Sequence, residues 1–347
     1  MARTWAGDLP TPDFAWLDPL IRHFQLGEPE LLETLGGGLV HQTWKLKTGQ
    51  GSFVVQHLHP QFDPAVTEDG QAIGSWLRQQ GFPVPQFRRA CDGSLHLSWG
   101  GGLWRVMDCL PGSSYSTPPA WSYLEQAGAA VGRLHRLLAG WHYSFRFQIP
   151  HFHDTAYFWQ QLCQRSPDPE IRAEWQFFVE TVPRLLLPPG LPTQIIHADL
   201  KFNNFLFDER GKFAGLVDLD TFMDHNLYVE LGDALRSWGR RGEAVEAEAI
   251  LAGLRGYAQT GNLRALQPEL LLQGIQLMTL ELGMRFLLDW FEDCYWNWDP
   301  QRYASRRDHN LARCRRQIRL YQHLTQIAPQ LLESIYALAS GEGNWLS

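Results

Sequence analysis

Polar and charged side chains are concentrated between short apolar runs in one part of this sequence. Residues 195–220 read IIHADLKFNNFLFDERGKFAGLVDLD. Asp199 follows His197 by two residues, Lys201 follows Asp199 by two, and Asn204 lies five residues after Asp199. A carboxylate can accept a proton, an ammonium group can contact an anion, and an amide oxygen can bind a hard cation. The segment therefore combines groups for acid–base chemistry with groups for metal binding.

A further carboxylate joins this group through the elements predicted around it. Apolar residues predict short strands over 205–207 and 214–217, joined by a turn. Asp218 directly follows the second strand. We expect this hairpin to bring Asp199, Asn204 and Asp218 together at one end.

The order His-x-Asp-x4-Asn, followed by an aspartate that ends a strand, is typical of kinases. Phosphoryl transfer needs little covalent help, so the protein mainly positions groups and offsets charge. We predict that Asp199 accepts the proton of an attacking hydroxyl and that Lys201 reaches the γ-phosphate. Asn204 and Asp218 are the predicted ligands of Mg²⁺. A polar β-turn beside a buried histidine would explain each residue alone, but not their joint order.

The elements that must position these residues fall into two parts. Turn residues at Pro111-Gly112-Ser113-Ser114 separate them. We predict an α+β fold with a β-rich N-lobe over 1–108 and a mainly helical C-lobe over 109–347. In the first part we predict helices over 14–24 and 65–80 and strands over 40–46, 53–56, 95–97 and 103–107. Leu124 to Leu138 have helical spacing, with Gly140 as the C-terminal cap.

Composition excludes several classes of protein. The chain has 347 residues, with 30 Lys+Arg against 37 Asp+Glu and a net charge of −7. A nucleic-acid binder or a polybasic membrane protein needs clustered positive charge, so we predict neither partner. The five cysteines form no CxxC pair, which indicates reduced thiols. The N-terminus lacks a signal-peptide pattern, and we predict a soluble cytoplasmic protein that acts on a small molecule.

At the motif described above the chain resembles the aminoglycoside phosphotransferase and choline kinase superfamily, which has a protein-kinase-like, two-lobed fold. Several segments also resemble its N-acetylhexosamine 1-kinase branch. These segments are HADLKFNN at 197–204, VDLDT at 217–221, LGDALR at 231–236, LELGMRFL at 280–287 and HNLAR at 309–313. Matching features extend over about residues 30–325.

The resemblance implies Mg²⁺- and ATP-dependent phosphorylation of the anomeric hydroxyl of an N-acetylhexosamine. By family pattern, Asp199 is the base, and Asn204 and Asp218 bind the metal. The acceptor would contact Asp199, Asp220, Arg285 and Asp289. The nucleotide would bind at a glycine turn, a strand and the linker between the lobes: Gly36, Gly37, Gly38, Gln56, Met107, Asp108 and Cys109.

Two positions depart from the wider family pattern. Gln56 stands where typical kinases carry a phosphate-binding lysine, and an amide cannot offset charge. Leu39 stands where some sugar kinases of this branch have a polar residue. Other acceptors therefore stay open, among them aminoglycosides, choline or ethanolamine, and homoserine. A non-catalytic nucleotide- or ligand-binding protein on the same fold is the third hypothesis.

Some polar residues outside the motif have simpler interpretations. Spacing alone predicts that Glu281, Arg285 and Asp289 form a solvated ladder on one helical face. Asp233 is predicted to support the catalytic loop through hydrogen bonds. Two histidine pairs, His57/His59 and His151/His153, are predicted to be surface or loop residues rather than metal ligands.

Overall fold

The computed structural model describes residues 14–36 and 41–341. The chain forms two compact units, one of Met1–Trp76 with Val84–Leu110 and one of Leu77–Pro83 with Pro111–Ser347. Within the described ranges, no helix is long and apolar enough to cross a bilayer.

The first unit is built on one antiparallel sheet of five strands in the order β1-β2-β3-β5-β4. A 3₁₀ turn, Phe14–Leu17, leads into the first helix, and the second helix follows the third strand. The elements are α1 Asp18–Phe24, β1 Pro29–Thr34, β2 Gln42–Thr48, β3 Gly51–Leu58, α2 Ala65–Gln79, β4 Leu97–Trp99 and β5 Gly102–Asp108. Apolar side chains of β2, β3 and β5 pack with α1, and the rings of Trp44 and Trp104 stack at 5.6 Å.

In this unit one predicted strand is displaced and one strand was not predicted. The strand expected at 95–97 lies at Leu97–Trp99, because the reversal before β5 is made by Gly100 and Gly101, both at positive φ. Strand β1 was not predicted, since four of its six side chains are exposed and it lacks a buried apolar face. The helix at its start and the hairpin β2–β3 agree with the sequence pattern.

The second unit is mainly helical, with three short antiparallel strand pairs, β6–β9, β7–β8 and β10–β11. Its helices are α3 Trp121–Leu138, α4 Thr155–Cys163, α5 Arg172–Thr181, α6 Leu227–Gly239, α7 Ala247–Ala258, α8 Pro268–Glu292 and α9 Arg306–Ser340. Its strands are β6 Thr193–Ile196, β7 Phe205–Phe207, β8 Phe213–Leu216, β9 Met223–Asn226, β10 Arg240–Arg241 and β11 Ala244–Val245. The α+β class predicted from the sequence is confirmed.

Helices α3 and α7 approach each other backbone to backbone. A Cβ on Gly128 would overlap the carbonyl oxygen of Gly253, and a Cβ on Gly256 would overlap the carbonyl oxygen of Glu125. Glycine is therefore required at these crossing points, where any side chain would force the helices apart.

Candidate active site

The predicted hairpin positions the polar residues of segment 195–220. Strand β6 ends directly before His197, and Asn204 lies directly before β7. The N–H of Val217, after β8, donates to the carbonyl oxygen of Asn204 at 2.9 Å. This bond holds the start of β7 against the end of β8, so the loop after β6 and the loop after β8 meet.

Lys201 connects the two carboxylates that face this junction. Its Nζ lies 2.6 Å from Asp199 Oδ2 and 3.7 Å from Asp218 Oδ2. Burial lowers the pKa of Lys201, but the charges of Asp199 and Asp218 outweigh it and raise this pKa above its usual value. Burial, with the negative charges of its neighbours, raises the pKa of Asp218. The ammonium group therefore offsets two carboxylates that would otherwise repel each other.

Asn204 is oriented so that its amide oxygen can bind a cation. Its Nδ2 donates to the carbonyl oxygen of Asp199 at 2.8 Å, and the side chain is 4% exposed. The oxygen of this amide accepts no hydrogen bond within the described residues. Asp218 follows Val217, whose N–H is bonded to Asn204, and amide and carboxylate oxygens are hard donors of the kind that Mg²⁺ prefers. The residues present fit a divalent metal carried with a nucleotide.

A buried glutamate, absent from the sequence predictions, holds the backbone of the catalytic loop. The Glu230 carboxylate accepts the N–H of His197 at 2.9 Å and that of Ala198 at 2.7 Å. His135 Nε2 lies 3.4 Å from the same carboxylate. Burial raises the pKa of Glu230, but the hydrogen bond and charge of His135 outweigh it and hold this pKa below its usual range. Ala198 itself has φ of 64°, a left-handed conformation that costs a non-glycine residue about 1–2 kcal/mol.

Asp233 does not form the hydrogen bonds to the catalytic loop that were predicted for it; Glu230 forms them instead. Asp233 lies one turn after Glu230 on α6, and its carboxylate pairs with Arg236 rather than with the loop backbone. The sequence signal for Glu230 was its place as an acidic residue in the first turn of a buried helix. No motif distinguished it from Asp233.

A second buried contact fixes the carbonyl side of the same loop. The Nε2 atom of His153 lies 2.8 Å from the Ala198 carbonyl oxygen, and its Nδ1 atom lies 3.0 Å from Glu281 Oε1. Burial lowers the pKa of His153, but the hydrogen bond and charge of Glu281 outweigh it and raise this pKa to about 9. Thr155 donates its hydroxyl to the same carboxylate. His153 thus lies in a turn before α4, as the sequence predicted, but it is buried rather than at the surface, and its raised pKa favours the charged form.

The predicted solvated ladder on α8 is also wrong. Glu281 is 1% exposed and Asp289 is 3% exposed. Both oxygens of Asp289 are occupied: they accept backbone N–H groups of residues 294–296 and the side-chain amide of Asn310. These bonds give Asp289 a structural role at the end of α8, and they leave little capacity for the acceptor contact that the resemblance implies.

Arg285 and Asp220 were the other two predicted acceptor contacts. The Arg285 guanidinium lies 5.3–5.9 Å from the ring centroids of Phe152, Phe158, Tyr295 and Trp296. Aromatic faces of this kind attract a cation and leave its N–H edges available. Asp220 is buried two residues after Asp218, and its negative charge contributes to the raised pKa of Asp218. It therefore lies close to the predicted metal ligands.

In the first unit, Gln56 is paired with a buried arginine. Its Oε1 accepts hydrogen bonds from Nε of Arg105 at 2.9 Å and from one terminal nitrogen of Arg105 at 2.7 Å. Its Nε2 donates to the hydroxyl oxygen of Thr43 at 3.2 Å. Arg105 is 2% exposed, and its guanidinium lies 4.8 Å from the centroid of the Phe87 ring. This positive charge, beside the position where typical kinases carry a lysine, was not predicted from the sequence.

The other predicted nucleotide contacts lie at the end of β5 or near the glycine run. Met107 is buried, the N–H of Asp108 donates to the Gln86 carbonyl oxygen, and that of Cys109 donates to the Ser52 carbonyl oxygen. Burial raises the pKa of the Cys109 thiol. Gly36 lies in the turn after β1, whereas Gly37 and Gly38 are outside the described residues, as is Leu39.

Among residues 14–36 and 41–341, no group of three or more His, Cys, Asp or Glu side chains could hold a metal ion by itself. The chain's five cysteines are free thiols.

Known proteins share this sequence pattern and this fold. Homoserine kinase of Caulobacter vibrioides is 24% identical over 284 residues, which cover 79% of this chain and 86% of that enzyme. A microcompartment-associated aminopropanol kinase has the same fold, with a TM-score of 0.62, 17% identity and coverage of 88% and 94% of the two chains. An amicoumacin kinase bound to AMP-PNP and Ca²⁺ has a TM-score of 0.61, 18% identity and coverage of 88% and 93%.

The protein-kinase-like fold expected from the sequence is confirmed by these structures. The sequence itself matches the phosphotransferase enzyme family over residues 32–266. The family match and the AMP-PNP and Ca²⁺ of the amicoumacin kinase structure imply ATP and a divalent metal as cofactors. The chain belongs to the phosphotransferase enzyme family and is an ATP-dependent small-molecule kinase whose acceptor is a hydroxyl group.

Proposed function

We propose that this kinase transfers the γ-phosphate of Mg²⁺-ATP to the anomeric hydroxyl of an N-acetylhexosamine in the cytoplasm. The observation that carries the phosphotransfer step is the Asp199–Lys201–Asp218 arrangement, with Asn204 beside it. The choice of acceptor rests on the resemblance of segments 197–204, 217–221 and 280–287 to the N-acetylhexosamine 1-kinase branch.

In the proposed step, Asp199 orients the acceptor hydroxyl and accepts its proton. The hydroxyl oxygen forms a bond to the γ-phosphorus while the bond from that phosphorus to the bridging oxygen of ADP breaks. Lys201 contributes a positive charge close to the transferred group, and its contact with Asp218 keeps it in place. Mg²⁺, held by Asn204 and Asp218, supplies charge neutralisation for the phosphates when bound.

The aromatic residues around Arg285 support a role for this guanidinium in binding acceptor hydroxyl groups. Rings that cover its faces direct the N–H donors sideways, where sugar oxygens can accept them. Asp220, near the metal ligands, is the second proposed contact. Asp289 is not part of this proposal, because its oxygens are occupied by backbone groups.

A second candidate function is homoserine kinase. It is favoured by homoserine kinases that match this chain over more than two thirds of its length. Both candidates use the same phosphotransfer step and differ only in the alcohol that is phosphorylated.

The experiment is an ADP-release assay with Mg²⁺-ATP and a panel of N-acetylhexosamines, hexoses, homoserine, choline, ethanolamine and aminoglycosides. NMR of the product locates the phosphate. Turnover of an N-acetylhexosamine at its anomeric carbon supports the proposal, whereas turnover of homoserine alone supports the second candidate. ATP binding without turnover of any acceptor would favour a binding protein.

Asp199→Ala is the matched variant for the phosphotransfer step. We expect it to lower kcat by at least ~100-fold while ATP binding stays nearly intact, because the carboxylate acts on the acceptor proton. Asp208→Ala is a control in the same hairpin, since Asp208 caps the exposed turn between β7 and β8. If Asp199→Ala kept most of its activity, the assignment of the base would be wrong.

A further inference from the structure

Arginines gather where α6 and α9 meet the hairpin β10–β11 in the second unit. We define the arginine cluster as Arg236 on α6, Arg240 on β10, and Arg313 and Arg316 on α9. Two contacts fix the hairpin against α9: the N–H of Val245 donates to His323 Nδ1 at 3.2 Å, and Glu243 pairs with Arg319.

Arg316 lies within electrostatic range of both Arg240 and Arg313, and Arg236 lies within range of Arg240. Partial desolvation, followed by the positive charges of Arg316 and Arg236, lowers the pKa of Arg240. Burial and the charge of Arg316 likewise lower the pKa of Arg313. In a chain with a net charge of −7, such mutual repulsion is a local cost that an anion would remove.

The cluster lacks enough acidic partners within the described part of the chain. Arg236 pairs with Asp233, but Arg240 and Arg316 form no ion pair with any described residue. The Nε atoms of Arg236 and Arg316 are buried without a hydrogen-bond partner. Two guanidinium groups of the cluster thus have hydrogen-bonding capacity that the described residues do not use.

Two neighbouring arginines of α9, which lie outside the cluster, form ion pairs with glutamates. Arg315 is next to Arg316 in sequence, and its Nε donates to Glu174 at 2.6 Å. Arg319 pairs with Glu243. Arg315 and Arg319 on α9 are therefore ion-paired, whereas Arg240 and Arg316 form no ion pair with a described residue.

Helix α6, which carries one arginine of the cluster, contacts the loop of residues 197–204. Helix α6, which carries Arg236, is joined to that loop by Trp238, whose indole N–H donates to the Leu200 carbonyl oxygen at 2.8 Å. Asp233, the partner of Arg236, also contributes to the raised pKa of Lys201. The Arg313 guanidinium lies over the ring of Phe286 on α8, 5.4 Å from the ring centroid. Phe286 directly follows Arg285 in sequence. One helix of the cluster, α6, therefore contacts the loop that carries Asp199, and Arg313 of α9 contacts α8, which carries Arg285.

We propose that the arginine cluster binds an anionic group of the acceptor, a carboxylate or a phosphate, while the acceptor's hydroxyl lies at Asp199. Guanidinium groups bind both anions through paired N–H donors, which a neutral hydroxyl does not match. This inference rests on the proposed function and narrows it to acceptors with a negative charge. It disfavours polycationic acceptors, which the cluster would repel.

The test compares acceptors in pairs that differ by one anionic group. The pairs are N-acetylglucosamine with its 6-phosphate, glucose with glucuronate, and homoserine amide with homoserine. Homoserine is a zwitterion and its amide is a cation, so this pair too differs by one carboxylate, and the member with the added carboxylate or phosphate is called the anionic one. We expect the anionic member of at least one pair to have a kcat/KM about 10–100-fold higher. The pair that responds identifies the anion as a phosphate or a carboxylate.

Arg316→Gln and Arg240→Gln are the test variants, and Arg315→Gln is the control on the same helix. We expect either test variant to raise KM for the anionic acceptor about 10-fold or more, with kcat less affected. KM for the partner that lacks the anionic group should change little. Arg315→Gln removes the same charge from the other side of α9 and should leave both values near those of the wild type.

Equal use of neutral and anionic acceptors, with KM unchanged in Arg316→Gln, would overturn the inference and leave the proposed function intact. If no acceptor is phosphorylated, the proposed function fails, and calorimetric titration of the three anionic compounds in the presence of Mg²⁺-ADP decides the inference. Binding that Arg316→Gln weakens and Arg315→Gln does not would support it. Absence of binding by all three would overturn it.

Discussion

Glu230 offers the sharpest test of how the catalytic loop is held. Glu230→Gln preserves the size of the side chain but replaces one carboxylate oxygen by an NH₂ group. The amide oxygen can still accept the backbone N–H of either His197 or Ala198. The other backbone N–H then faces the NH₂ group, which is itself a donor. A buried N–H that loses its partner costs about 1–3 kcal/mol.

This cost falls on a segment that is already strained at Ala198. The left-handed conformation there persists because the surrounding hydrogen bonds impose it. If the full 1–3 kcal/mol appears in the barrier, kcat decreases about 5–150-fold. KM for ATP should change much less, since Glu230 holds the loop that positions the acceptor hydroxyl.

The assay measures kcat by ADP release with the best acceptor and the free energy of unfolding in urea. Glu174→Gln is the matched control, because Glu174 is also a shielded glutamate, paired with Arg315 away from the loop. The double variant Glu230→Gln/Ala198→Gly should recover part of kcat, since glycine adopts a positive φ without the penalty.

Two results would refute the reasoning. Wild-type kcat in Glu230→Gln would mean that the loop does not depend on this carboxylate. An equal loss of kcat in Glu174→Gln would mean that the effect is general destabilisation rather than loop geometry.

Three further predictions test other parts of the structure. Because the folded-state pKa of His153 is raised to about 9, its stabilising effect is complete below pH 6.5 and is lost as the pH rises through 9; urea unfolding should show a loss of up to ~3 kcal/mol that His153→Gln removes. Asp218→Asn should raise the Mg²⁺ concentration for half-maximal rate by at least ~10-fold at fixed ATP, and an unchanged Mg²⁺ titration would contradict its role as a ligand. Gly128→Ala should lower the free energy of unfolding by about 1–3 kcal/mol, since its Cβ would overlap the carbonyl oxygen of Gly253; an unchanged urea midpoint would argue against this close contact.

The central motif could be predicted because its geometry is local. Asp199, Lys201 and Asn204 lie within six residues, and the β7–β8 hairpin that adds Asp218 has clear apolar strands and a turn. Short-range spacing and strand alternation determine where these side chains meet. The same is true of the helix over residues 124–138 and of the hairpin β2–β3.

The supporting contacts could not be predicted because they join distant parts of the chain. His153 and Glu281 are 128 residues apart, and Gln56 and Arg105 are 49 apart. Nothing in the sequence near His153 distinguishes a buried, charged histidine from a surface residue. The i, i+4, i+8 spacing of α8 indicated one face of a helix, but it could not show that this face is buried against other elements.

The hydrogen bonds that hold Ala198 also determine at which stage of synthesis the catalytic loop can reach its folded conformation. Its N–H needs Glu230, 32 residues later, and its carbonyl oxygen needs His153, whose partner Glu281 is made later still. A nascent chain that ends before α8 contains every residue of the motif but lacks the carboxylate that keeps His153 charged. Truncated chains should therefore acquire the hairpin early and the competent loop only after α8 has left the ribosome. Catalytic activity would then report completion of the helical unit rather than synthesis of the motif itself.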